Sequence, residues 1–244
     1  MVEITIHKFK DMDVKGATVV DGFPTVGLVS TIAANYLIGE LELDQISVLD
    51  SPDFPPVSMI YASKPKFPAR IYADEKAKVV VFLSEFTPPP HLARALAKIV
   101  LDWSIKHKCR RVIVPEGIST AKPETEELKV YGIGSTDRAR ADMKKYRINQ
   151  LETGIVTGVA GVLLNEGRRA NFDVISLLAE TRTGMPDARA AAKIIEGIDR
   201  LILSIKIDVK PLYEEAGRIE KYLRALREKS KPAAEPGLTP QMYG

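Results

Sequence analysis

The sequence predicts an α/β layered fold built on a largely parallel sheet. Three observations lead there. β-branched runs alternate with helical periodicities along most of the 244 residues. Val79–Leu83 is apolar throughout, as a strand covered on both faces is. A strand, a glycine-bearing turn and a helix follow one another between Ala17 and Ile38, the opening of a βαβ-type unit.

Each element has a local reason. Ile4-Thr5-Ile6 and Ala17-Thr18-Val19-Val20 read as short strands, because β-branched side chains suit a pleated surface. Gly22, Pro24 and Gly27 then mark a turn, and Val29 to Ile38 continue as a helix, with Leu28, Ile32, Tyr36 and Leu37 at helical spacing. Ile71-Tyr72 and Val79–Leu83, parted by a charged turn, are expected to form a hairpin. Pro88 to Pro90 stop that strand and start a helix over His91–His107, whose apolar surface carries Leu92, Leu96, Ile99, Leu101 and Trp103. Arg111–Val114 reads as a strand ended by Pro115, and Asp137–Tyr146 as a charged helix. Gly154–Gly167 is apolar and glycine-rich, Phe172–Leu178 reads as a strand, and Pro186–Leu203 as a helix with Asp187 in its first turn, where a negative charge suits the helix dipole.

The chain divides into a core domain over residues 1–205, an amphipathic helix over 206–229 and a flexible tail over 230–244. In the helix, Ile205, Val209, Leu212, Ala216, Ile219, Leu223 and Leu226 alternate at four and three residues, a heptad seam about three repeats long. Such a seam packs either on its own domain or against a second subunit. The tail is spaced by Pro232, Pro236 and Pro240, and lacks periodic apolar residues. Extended at roughly 3.1 Å per residue, it spans about 45 Å.

Composition excludes several function classes. Thirty-five basic residues against 32 acidic ones give a net charge of +3, which is no footprint for nucleic acid. No apolar run is long enough to cross a bilayer, and Met1-Val2-Glu3-Ile4 lacks the features of a signal peptide, so a cytoplasmic protein is expected. One cysteine makes no internal disulfide, and His7, His91 and His107 are too scattered for a metal set. Charged residues are 27% of the chain while asparagine and glutamine together number seven, a balance found in heat-adapted proteins.

Catalytic signatures are absent: there is no phosphate-binding loop, no nucleophile elbow and no dinucleotide fingerprint. The spacing of Gly154, Gly158 and Gly161 suits close packing or a tight turn better than a phosphate site. The turn with Gly22 and Gly27 serves equally as a bend or as a cradle of helix N-terminal amides for an anion. His107 near a helix end favours the dipole, and Cys109 among Lys108, Arg110 and Arg111 would have a lowered pKa if exposed. Glu85, Glu116 and Glu180 stand at the ends of expected strands, where α/β sites gather. No catalytic residue, cofactor or metal is assigned. Met242, Tyr243 and Gly244 are assigned to partner binding: an apolar side chain, an aromatic hydroxyl and a terminal carboxylate at the tip of a proline-spaced tether suit a distant pocket.

In order along the chain, "DGFPTVGLVSTIAANYLI", "PDFPPV", "PARIY", "GIVTGVAGVLLNEG", "LLAET" and "PDARAAAKIIEGI" resemble the archaeal proteasome-assembly-chaperone-like family, homologous to the second eukaryotic assembly chaperone. The resemblance covers about residues 15–225. It implies a three-layer α/β/α sandwich of the phosphorylase/hydrolase-like kind, homo-oligomers and binding to proteasome α subunits of the 20S core particle; the heptad seam permits several bundle sizes, of which a tetramer is expected. It also implies that Met242, Tyr243 and Gly244 match the family's terminal hydrophobic-Tyr-X motif, which inserts between neighbouring α subunits. The expected function is a non-enzymatic proteasome-binding chaperone or activator. The alternative is an enzyme or binding protein for a nucleotide-like or nucleoside-like ligand.

Overall fold

A computed structural model describes residues 3–120, 128–182, 185–203 and 207–216. The chain opens with β1 (Thr5–Lys8), β2 (Thr18–Gly22), α1 (Val29–Glu40) and β3 (Asp44–Asp50). A small hairpin of β4 (Met59–Tyr61) and β5 (Lys64–Lys66) precedes β6 (Ala69–Asp74) and β7 (Val79–Ser84). Then come α2 (Ala93–Lys106), β8 (Arg111–Thr120), β9 (Val130–Gly134), α3 (Asp137–Lys145) and β10 (Asn149–Gln150). The sequence of elements continues with α4 (Gly158–Arg169), β11 (Val174–Arg182) and α5 (Ala188–Ile198).

Nine strands form one sheet in the order β1-β3-β6-β7-β2-β8-β11-β9-β10, and β4 pairs only with β5. Period-two alternation splits the core into two layers. In β7, Val79, Val81 and Leu83 join the layer under α1, α3 and α5, while Val80 and Phe82 join the layer under α2 and α4. The result is a three-layer α/β/α arrangement. Side-chain caps fix two helix starts: Thr136 accepts from the Ala139 N–H at 3.1 Å, and Asp187 from the Ala190 N–H at 3.0 Å. Asp187 is therefore the cap before α5 rather than a residue of its first turn.

Two expectations need correction. The sheet is mixed, not largely parallel: β2–β7, β2–β8, β8–β11 and β9–β10 are parallel, but β1–β3, β3–β6, β6–β7 and β9–β11 are antiparallel. The short turn joining β6 to β7 permits only an antiparallel return. Pro115 also fails to end its strand, which runs on to Thr120. The Val112 N–H donates to Asp173 O on the β11 side, so alternation turns the Pro115 nitrogen toward β2. The last β2–β8 pair is Val20 with Ile113, so no ladder bond is lost where the proline stands.

Residues 210–216 are helical, and Leu212 and Ala216 are buried, at 4% and 6% exposure. Leu212 belongs to the α1/α3/α5 core layer, and Val209 and Tyr213 pack against it. The Tyr213 hydroxyl donates to Glu196 of α5 at 2.9 Å, and that of Tyr36 to the Asp208 carbonyl. This first stretch of the heptad seam thus packs on its own domain. Ile205, Ile219, Leu223, Leu226, the tail and the assigned residues Met242, Tyr243 and Gly244 lie outside the described residues.

Candidate functional site

At the carboxyl ends of the central parallel strands, β2 leads into α1 on one face of the sheet and β7 leads into α2 on the other. That is a switch point, where α/β sheets open a crevice. A cleft of about 540 Å³ lies there. Its floor is acidic. Asp21 of β2 and Glu116 of β8 share strand parity with Val19 and with Val112 and Val114, so both carboxyls face the α2/α4 layer. Pro24, Pro88 and Val159 supply walls, and Arg94 of α2 stands among the lining residues.

Burial dominates the electrostatics. Asp21 is 3% exposed, and desolvation pushes its carboxyl from the ordinary 3.8 up to about 7, against the lowering effect of the Phe23 N–H at 3.3 Å. Glu116 is raised to about 8, first by desolvation and then by the neighbouring Asp21 charge. In its protonated form, which burial favours, each carboxyl can both donate and accept a hydrogen bond.

The cleft's rim loop is wedged in place by glycines. Gly27 adopts φ +67°, and its carbonyl accepts the Asp187 N–H at 2.9 Å. A Cβ on Gly117 would fall 2.1 Å from the Val26 carbonyl oxygen, so β8 accepts this loop only because position 117 has no side chain. Gly117→Ala is expected to displace the loop and cost about 1–3 kcal/mol, read by chemical denaturation. An unchanged unfolding midpoint would show that the loop yields freely.

Of the carboxylates singled out in the sequence, only Glu116 enters the cleft. Glu85 pairs with buried Arg70 at 2.9 Å and accepts from the Tyr61 hydroxyl, pinning the β4–β5 hairpin. Glu180 accepts the Lys129 N–H at 3.0 Å. His91 is exposed at the start of the α2 segment and borders a groove of about 600 Å³ between Ile6 of β1 and the outer face of α2. His107 stacks on Trp103, with ring centroids 4.0 Å apart, and its Nδ1 lies 2.8 Å from the Trp103 carbonyl. Cys109 is 7% exposed, and burial pushes its thiol up to about 12, which removes the activation that exposure beside three basic residues would give. Gly158, at φ +67°, opens α4, and Gly161 packs so closely that a Cβ would meet the Val156 carbonyl oxygen at 2.4 Å. The glycine spacing therefore serves a turn and a close contact.

Asp21 and Arg94 went unnoticed in the sequence. The available signal was an acid closing a β-branched strand immediately before Gly22-Phe23-Pro24, the position a switch-point crevice uses. Among the described residues, no group of three or more metal-ligating side chains occurs, and no helix is long and apolar enough to cross a membrane.

Comparison with known proteins agrees with this architecture. The chain is 32% identical to Pyrococcus furiosus PbaA, an archaeal homolog of proteasome-assembly chaperone, with a TM-score of 0.84 over 93% of this chain and 92% of that one. Pyrococcus furiosus PbaB, an archaeal proteasome activator, shares the fold at 24% identity and a TM-score of 0.80, over 93% of this chain and 100% of that one. An uncharacterised Methanocaldococcus jannaschii protein is 29% identical over 210 residues, 86% of this chain and 85% of its own. A sequence profile of the PAC2 family matches residues 19–227, and the chain belongs to the PAC2 family.

Proposed function

We propose that this chain is a cytoplasmic, non-enzymatic proteasome-binding protein, an assembly chaperone or activator that docks its C-terminal tails into pockets of the proteasome α ring. The observation that carries this reading is the 32% identity and TM-score of 0.84 to PbaA, described as a homolog of proteasome-assembly chaperone, in a chain whose sequence closes on Met242-Tyr243-Gly244.

The tail supplies the mechanism. Met242 fills an apolar recess, the Tyr243 ring stacks while its hydroxyl bonds at the pocket edge, and the carboxylate of Gly244 pairs with a lysine of the partner. One such contact is weak. A homo-oligomer, taken here as a tetramer, presents several tails at once and raises their effective concentration near the ring.

Deleting Gln241–Gly244 is expected to weaken binding to archaeal α rings by about tenfold or more, with an unchanged melting temperature. Surface plasmon resonance on α rings and on assembled core particles reads this directly, and the preferred target separates an assembly role from activation. Undiminished binding by the truncated chain would move the interface onto the folded domain.

A further inference from the structure

The acid-floored cleft has no part in tail docking, yet its polar groups are set out as for a ligand. Asp21 is 97% buried by its 3% exposure, and its single hydrogen bond, from the Phe23 N–H at 3.3 Å, engages Oδ1. Among the described residues Oδ2 has no hydrogen-bond partner, and Asp21 lines the cavity. Among the described residues the Glu116 carboxyl has no hydrogen bond and no ion pair. A fold seldom leaves buried polar atoms unused, because each unmade hydrogen bond in low dielectric carries a desolvation cost. Of the other buried charged residues, Arg70, Arg111 and Asp173 are paired with opposite charges, and Glu180 accepts the Lys129 N–H. Orphaned atoms such as Arg70 Nε and Arg111 Nε belong to side chains already in ion pairs, whereas Asp21 and Glu116 have no ion pair among the described residues.

Other residues of the same lining have the opposite character. Arg94 is exposed and makes no ion pair among the described residues. The N-terminus of α4, a 12-residue helix, opens onto the same space at Gly158, and its N-cap Thr157 leaves the helix amides without a side-chain cap. An arginine together with uncapped helix amides is an anion-binding combination. Pro24, Pro88 and Val159 add apolar surface to the lining.

We propose that this cleft binds a nucleotide-like ligand, a flat heteroaromatic ring bearing an anionic group. The ring's amide or amidine edge lies on Asp21 and Glu116, and the anion lies at Arg94 and the start of α4. Two adjacent carboxyls that donate and accept match the paired donor and acceptor of such a ring edge, and the proline walls cover its faces. Burial raises both carboxyls, which lessens their repulsion toward the ligand's anion. A cavity of about 540 Å³ falls within the range of small-molecule sites, roughly 300–1,000 Å³. The proposal concerns binding alone and does not rest on the proteasome reading.

The test is a thermal-shift and calorimetric panel on the full chain, using adenosine, guanosine, cytidine and uridine 5′-monophosphates, the four nucleosides, and inorganic phosphate. At least one monophosphate is expected to bind saturably and to raise the melting temperature by roughly 5 °C or more at one hundred times its Kd. Its nucleoside should bind more weakly, and phosphate alone should give no comparable shift. Arg94→Gln, an exposed position, should bring monophosphate affinity down to that of the nucleoside while leaving nucleoside affinity unchanged. Glu116→Gln should weaken both by about tenfold or more. No binding by any monophosphate at millimolar concentration would overturn the proposal. So would a phosphate shift equal to the monophosphate shift, or binding unaffected by Arg94→Gln. If Glu116→Gln fails to fold, the Arg94→Gln comparison decides alone.

Discussion

Replacing Glu85 with alanine is expected to lower the unfolding free energy by about 3–5 kcal/mol. Arg70 is 2% exposed, and its Nη2 lies 2.9 Å from Glu85 Oε2. That contact is electrostatic, since Oε2 lies off the line of any N–H and has no hydrogen bond of its own. Arg70 Nη1 donates to the Phe67 carbonyl at 2.6 Å, and its guanidinium lies over the rings of Tyr61 and Tyr72, with centroid distances of 5.6 and 5.8 Å. Removing the carboxylate strands a buried cation in this setting and frees the Tyr61 hydroxyl that ties down the β4–β5 hairpin. The double replacement Arg70→Met with Glu85→Leu should recover most of the loss, because the desolvation cost leaves with the pair. Urea denaturation measures both variants. A loss below about 1 kcal/mol for Glu85→Ala would mean that water reaches the guanidinium.

The second large effect is a dependence of stability on pH. Asp21 has a folded pKa of about 7 against an ordinary 3.8, so between those values the native state holds a proton that the unfolded chain has released. Stability from this group is fully present below about pH 4 and is lost as pH rises through about 7. Glu116, at about 8 against 4.5, acts in the same direction and extends the window upward. Asp21→Asn is expected to stabilise the protein at pH 8.5 by about 2–4 kcal/mol and to flatten its profile between pH 5 and 8. Denaturation midpoints at pH 5, 6.5 and 8.5 in one buffer series are the measurement. A wild-type midpoint that rises across this range would show that the cleft acids ionise freely.

Much of this fold was legible because local signals agreed with tertiary demands. The β6–β7 hairpin was marked by a charged turn between two β-rich runs. The places of α2, α3 and α5 followed from the prolines before α2, the charged segment of α3 and the run after Pro186, while the caps Thr136 and Asp187 emerged only in the structure. Pro115 was misread because a missing N–H matters only if a neighbour needs it, and the retreat of β2 is a property of the sheet. Strand direction was likewise hidden, since β9 returns antiparallel beside β11 through pairings distant in sequence. Site chemistry was the least legible. Asp21 and Glu116 are ordinary carboxylates in sequence, and only the register of β2 on β8 gives them one buried face. Cys109 shows the converse: its basic neighbours suggested activation, while packing closes it off.

The central claim, that the terminal residues anchor this protein to the proteasome, is tested most directly by Tyr243→Ala and by a variant carrying one extra residue after Gly244. Both are measured for binding to archaeal α rings beside the parent chain. The substitution removes the aromatic contact, and the extension displaces the carboxylate while keeping every side chain. Weakened binding in both, with unchanged melting temperatures, is the predicted result. Parental affinity in both variants would contradict tail docking and assign any proteasome contact to the α/β domain.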